Sequence, residues 1–190
     1  MSNLMMFSFT VDDEIELKLL ELQDAESLFK RIDENREYLR KWLPWLDSNR
    51  EENDTKQFIE WSRKQFVDGT DIVAAIWYRQ SIVGTVGLHG IVSPGGSASI
   101  GYWISEEFQG RLIVTRAVRA LIDHAFGVLK LHRIEIRCAP GNTQSHGIPL
   151  RLGFARERTL REAERLYDRY VDSVVYGILR NEWMERNGDT

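Results

Sequence analysis

The chain has 190 residues, 43% hydrophobic and 28% charged, and a formal net charge of −4. That length and apolar content fit one domain with a buried core and exclude a disordered chain, while the acidic balance excludes a general nucleic-acid-binding surface, which needs a basic excess. A single cysteine, Cys138, excludes an intramolecular disulfide framework and fits a reducing compartment.

The first ten residues are apolar but carry no Lys or Arg ahead of the apolar stretch, so no signal peptide is expected. No segment approaches the roughly 18 apolar residues of a membrane span, and a soluble, cytoplasmic chain is expected. Residues 14–20 alternate charged and apolar side chains, the period of a strand. Residues 23–32 read as a helix with Leu28, Phe29 and Ile32 on one face. Residues 34–46 carry an apolar face of Tyr38, Leu39, Trp42, Leu43, Trp45 and Leu46, and Pro44 should end that helix near Leu43. Asn53 or Asp54 is placed to cap a further helix that runs to Val67 and closes at Asp68-Gly69.

Strands follow at 72–78 and 82–91, joined by Arg79-Gln80-Ser81, with a turn at Ser93-Pro94-Gly95-Gly96. Residues 99–105 form the next strand and residues 114–129 the clearest helix, with Ala117, Val118, Leu121, Ile122, Ala125 and Phe126 at helical spacing. A strand at 132–138, a short helix ending before Gly153, and antiparallel strands at 154–160 and 170–179 complete the order. No repeat or linker divides it, so one mixed α/β domain over residues 1–190 is expected.

The run Ser99-Ile100-Gly101-Tyr102-Trp103-Ile104-Ser105 followed by Glu106-Glu107-Phe108-Gln109-Gly110-Arg111-Leu112-Ile113-Val114-Thr115 is a strand, a tight turn and a helix start. Such a turn aims unpaired backbone N–H groups and the positive end of the helix dipole at one spot, which suits a phosphate. The run resembles the acetyl-CoA pyrophosphate loop of GNAT N-acetyltransferases, Gln/Arg-x-x-Gly-x-Gly/Ala, with Gln109 at the first position and Leu112 in place of the glycine. Two further stretches, Asn35-Arg36-Glu37-Tyr38-Leu39-Arg40-Lys41-Trp42-Leu43-Pro44-Trp45 and Ile134 through Ser145 with Arg151-Leu152-Gly153-Phe154, are similar to the Rim-type ribosomal-protein N-terminal acetyltransferases.

The resemblance implies a GNAT fold: a mixed, mostly antiparallel sheet of about seven strands flanked by helices, with a splayed parallel pair at the cosubstrate site. Backbone groups of Tyr102, Trp103 and Ile104 would then pair with the pantetheine arm, and the loop from Gln109 through Gly110, Arg111, Leu112, Ile113 and Val114 to Thr115 would present N–H groups to the pyrophosphate. Arg111 and Arg116 are placed to add charge. Leu112 is expected to weaken CoA binding by putting a side chain where the backbone should meet phosphate. Asn142 and Ser145 would hold the arm and place a hydroxyl near the sulfur, making Ser145 the candidate general acid; Asn142 also fits a helix cap.

For the base that takes the amine proton, the candidates are Glu164, on the connection before the last strand, and Glu135 or His132. No spacing supports a nucleophilic triad, so direct transfer in a ternary complex is expected. The four histidines lack metal-ligand spacing, and no metal is expected. Trp45 and Phe58 are the expected aromatic clamp for an amine acceptor, either a peptide N-terminus such as that of a ribosomal protein or a small aminoacyl compound. The resemblance also admits a homodimer, which nothing in the sequence establishes. The alternative reading, carried by Leu112, is a degenerate GNAT domain that binds or scaffolds without catalysis.

Overall fold

Residues 7–92 and 95–188 are described by the computed structural model; the first six residues of the apolar N-terminus, and Ser93 and Pro94 of the expected turn, lie outside the described residues. Among the described residues eight strands form one sheet: β1 (Ser8–Thr10), β2 (Ile15–Leu19), β3 (Ile72–Tyr78), β4 (Ser81–His89), β5 (Ser97–Ile104), β6 (Arg133–Cys138), β7 (Ala155–Leu166) and β8 (Arg169–Leu179), in the order β1-β2-β3-β4-β5-β6-β8-β7. The strand beyond the expected seven is β1, a three-residue edge strand paired with β2 and too short for alternation to mark it. Every neighbouring pair is antiparallel except β5 and β6.

The β3–β4 connection is a two-residue turn, because Arg79 and Gln80 both take left-handed backbone (φ 47° and 67°) and Ser81 already pairs with Tyr78. The β7–β8 hairpin departs most from expectation. Residues 161–165, read as a connection, continue β7 to Leu166, and Glu164 pairs with Val171. As the sheet edge, β7 is exposed along most of its length, so no apolar alternation announces it.

Among the described residues six α-helices cover the two faces: α1 (Ala25–Glu34), α2 (Arg36–Arg40), α3 (Glu52–Asp68), α4 (Ile113–Gly127), α5 (Thr143–Arg151) and α6 (Arg180–Asn187). Helix α2 stops at Arg40, short of the break expected at Pro44. Helix α3 begins at Glu52 with Glu51 as its N-cap, so neither Asn53 nor Asp54 caps it. Instead the Asp54 carboxylate reaches back to accept from the backbone N–H groups of Arg50 and Glu51, at 2.8 and 3.2 Å. The polar helix α6 is fixed by the buried Trp183, whose indole donates to Asp123 at 2.7 Å.

The larger core joins one sheet face to α4 and to Ile148 of α5; the smaller joins the other face to α1, α2 and α3 through Leu28, Ile32, Leu39 and Ile59. Successive residues of β5 divide between them. Tyr102 and Ile104 pack toward the larger core, and Trp103 toward the smaller.

Candidate active site

The site begins where two strands part. Strands β5 and β6 pair only from Ser97↔Arg133 to Ile100↔Ile136. Beyond that, β5 stays with β4 as far as Ile104, and β6 stays with β8 as far as Cys138. The Ser105 N–H donates to the Val83 carbonyl at 2.9 Å. By the alternation of an antiparallel ladder, Trp103 therefore turns its backbone to β4, while Tyr102 and Ile104 turn theirs to the gap. Gly84 permits this close approach, because a Cβ there would meet the Trp103 carbonyl oxygen.

After β5 a 3₁₀ turn (Glu106–Phe108) leads through extended Gln109 into two left-handed residues, Gly110 (φ 72°) and Leu112 (φ 59°, ψ 12°). Leu112 is the N-cap residue of α4 and makes no side-chain cap. The first-turn N–H groups are left without intrahelical partners. Ile113 and Val114 bury their side chains in the core and anchor the helix start, while Leu112 is 54% exposed. Glycine takes left-handed backbone freely; leucine does so at a cost of about 1–2 kcal/mol.

A pocket of about 310 Å³ lies across this loop and the strand gap. The loop from Phe108 to Thr115 forms one wall, Tyr102, Trp103 and Ile104 the floor, and Asn142, Gln144, Ser145, Ile148 and Arg151 a second wall. Tyr38, Leu39, Trp42 and Leu43, from α2 and the turn after it, close the fourth side. The Gln109 amide donates to the Tyr38 hydroxyl, tying that side to the loop. Arg151 donates to Thr115 Oγ1 at 3.2 Å, and it folds back across Gly147, where a Cβ would come within 2.8 Å of its guanidinium. The Arg111 guanidinium lies 5.4 Å from the Phe108 ring centre. Arg116 is spent elsewhere, on Asp12 and Glu14 at 2.8 and 3.2 Å.

On α5 the Asn142 side chain caps the helix by accepting from the Ser145 N–H at 3.2 Å. The Ser145 hydroxyl oxygen is 3.1 Å from the Tyr102 hydroxyl and 3.3 Å from Cys138 Sγ. Burial pushes the Tyr102 phenol and the Cys138 thiol above their ordinary pKa values, so both stay protonated at neutral pH. Cys138 is buried and carries no activating cation, which is the environment of an inert thiol.

Glu164 is exposed on β7 and does not line the pocket, yet partial burial of its carboxyl raises its pKa. For Glu135, burial pushes upward but hydrogen bonds from Arg133 and Arg137 outweigh it, holding the carboxylate ionised. His132 is exposed beside the first residue of β6, at the opposite end from Cys138. The pair Trp45 and Phe58 is not brought together at the pocket: Trp45 packs on Trp103 with ring centres 6.4 Å apart, and Phe58 stacks on Trp61 of the same helix. Trp42 does line the pocket, and its ring lies 3.4 Å from where a Gly141 Cβ would stand.

Sequence reasoning missed Tyr38, Trp42 and Arg151 as pocket residues, and missed the Tyr102 hydroxyl. For Tyr102 a signal existed: Pro149, four residues after Ser145, leaves the Ser145 carbonyl without its helical donor. Among the described residues no group of three or more His, Cys, Asp or Glu could hold a metal ion, and no helix is long and apolar enough to cross a membrane.

Residues 14–155 match the family described as Acetyltransferase (GNAT) domain. YdaF of Bacillus subtilis (strain 168), provisionally named a ribosomal N-acetyltransferase, is 37% identical over 94% of this chain and 98% of its own length. The ribosomal-protein-serine acetyltransferase of Escherichia coli (strain K12) is 30% identical over 87% of this chain and 93% of its own. Among solved structures, the microcin C7 self-immunity acetyltransferase MccE, in complex with acetyl-CoA and AMP, superposes with a TM-score of 0.85 at 32% identity, covering 89% of this chain and 94% of that one.

Proposed function

Because this chain belongs to the GNAT acetyltransferase family, we propose that its pocket binds acetyl-CoA and passes the acetyl group directly to the primary amine of a protein N-terminus, with ribosomal proteins as the acceptor class. The observation that carries this reading is the parting of β5 from β6 beyond Ile100, beside the open N-terminus of α4. The residues present fit the cosubstrate. Backbone groups of Tyr102 and Ile104 receive the pantetheine amides as an added strand would. Free N–H groups at Leu112 and the start of α4 cradle the pyrophosphate, with Arg111 and Arg151 supplying positive charge.

Acetyl transfer needs three things of these residues. An N–H at the gap polarises the thioester carbonyl. The Ser145 hydroxyl, held by the Asn142-capped helix, donates toward the departing sulfur. Glu164, whose pKa partial burial raises, takes the amine proton through water. Tyr38 and Trp42 wall the acceptor side. Leu112 weakens the phosphate contacts without removing them, because N–H donors do not depend on the side chain.

The test is to incubate the protein with acetyl-CoA and short peptides beginning with Ser or Ala, and to locate any added acetyl group by mass spectrometry. Acetylation of the α-amine, absent from peptides with a blocked N-terminus, is the expected result. Consumption of acetyl-CoA no faster than without protein contradicts the reading. Likeness to MccE, solved with AMP, supports an aminoacyl nucleotide as a second acceptor class, tested in the same assay.

A further inference from the structure

A serine hydroxyl is a weak acid, and its hydrogen turns freely about the Cβ–Oγ bond. Alone, Ser145 would aim that hydrogen at a leaving sulfur only part of the time. Two groups limit it here: the Tyr102 hydroxyl at 3.1 Å and Cys138 Sγ at 3.3 Å. The tyrosine is held in place by a defect of the helix. Pro149 has no N–H to give the Ser145 carbonyl, and the Tyr102 hydroxyl donates to that carbonyl at 3.1 Å instead. One phenol hydrogen thus has two acceptors on the same residue, the Ser145 carbonyl and Ser145 Oγ, with the Cys138 thiol also in hydrogen-bonding contact with the phenol. Tyr102 belongs to the stretch of β5 beyond its last pair with β6, so the phenol stands at the gap.

Resting on the acetyl-transfer reading above, we propose that Tyr102 is the positioning residue for Ser145: when its phenol hydrogen turns from the Ser145 carbonyl to Ser145 Oγ, the serine hydrogen is left with two sulfur acceptors, the neutral Cys138 Sγ and the departing sulfur, and the one gaining negative charge takes it. The C–S bond breaks with its electron pair on sulfur. The thiolate is held by the Ser145 O–H and takes its proton from water, while the proton leaving the amine passes through water to Glu164. Neither Tyr102 nor Ser145 loses its proton, so the phenol works only while it remains protonated.

The experiment measures steady-state kinetics with acetyl-CoA and a Ser-initiated peptide for wild type, Tyr102→Phe, Ser145→Ala and the double variant. Tyr102→Phe should lower kcat by about 10- to 100-fold while KM for acetyl-CoA stays within about twofold. The double variant should be no slower than Ser145→Ala alone, because the phenol acts through that serine. Unchanged kcat in Tyr102→Phe, or independent multiplication of the two losses, overturns the proposal. Failure of the wild-type chain to transfer at all would instead remove the reading beneath it. Should Tyr102→Phe fail to fold, 3-fluorotyrosine at position 102 keeps the shape with a more acidic phenol. As the stronger hydrogen-bond donor to Ser145 Oγ, it should change kcat by about twofold or more while KM for acetyl-CoA holds, and an unchanged kcat overturns the proposal.

Discussion

Leu112 holds left-handed backbone (φ 59°) in the turn that opens α4, a conformation glycine adopts without strain. Its side chain is also more than half exposed at the pocket mouth. Leu112→Gly should therefore tighten CoA binding about tenfold, worth about 1.4 kcal/mol, without lowering the melting temperature. Titration calorimetry measures this, and equal affinities for the two proteins would contradict the role given to Leu112. Glu164 makes a second prediction. Partial burial raises its carboxyl pKa, so the folded chain disfavours the charged form. Its contribution to stability is complete below the unfolded-state pKa and is lost as pH rises through the folded value. Glu164→Gln should consequently melt no lower than wild type at pH 7. If Glu164 is the base, wild-type kcat/KM rises with pH through that raised pKa, and the variant loses this limb. A variant that keeps the acid limb would exclude Glu164 from proton removal.

Helix α5 shows how a short element can be built around its start. The Asn142 side chain accepts from the Ser145 N–H, so Asn142→Ala should cost about 1 kcal/mol and displace the Ser145 hydroxyl, lowering both melting temperature and kcat. Strand β4 contributes through an absence. Gly84 has no Cβ where the Trp103 carbonyl oxygen lies, and Gly84→Ala should force β4 and β5 apart at the floor of the pocket. A loss of about 2 kcal/mol or more, as for overpacking against rigid backbone, is expected in denaturant unfolding; a neutral effect would mean that β5 can shift freely. Elements of this kind differ in how far the sequence announces them. Helix α4 was legible because its buried residues repeat at helical spacing over 15 residues, and the Asn142 cap because it precedes its helix directly. Helix α2, at 5 residues, is too short to show a period. Hence Tyr38 and Trp42 could not be separated from Trp45 as the side chains that face the pocket. Strand β7 was half hidden because an exposed edge strand rich in Arg and Glu looks like a solvated loop.

At the scale of the molecule, the site exists because one sheet fails to stay paired. Strands β5 and β6 each keep their outer neighbour and lose each other after Ile100 and Ile136, which opens the gap beside the α4 N-terminus. No local pattern encodes that parting. It is a contact between segments more than thirty residues apart, and it was foreseen only through family resemblance. The placing of helices on both sheet faces follows more directly, since alternate residues of β5 feed different cores. The central claim is that this gap and loop hold acetyl-CoA despite Leu112. The most direct measurement is the melting temperature with and without saturating acetyl-CoA. At about 100 times the dissociation constant, a ligand bound only by the folded chain adds roughly 2.7 kcal/mol, about 5–10 °C for a domain of this size. A rise of that order is predicted, and an unchanged melting temperature at millimolar acetyl-CoA would contradict the account.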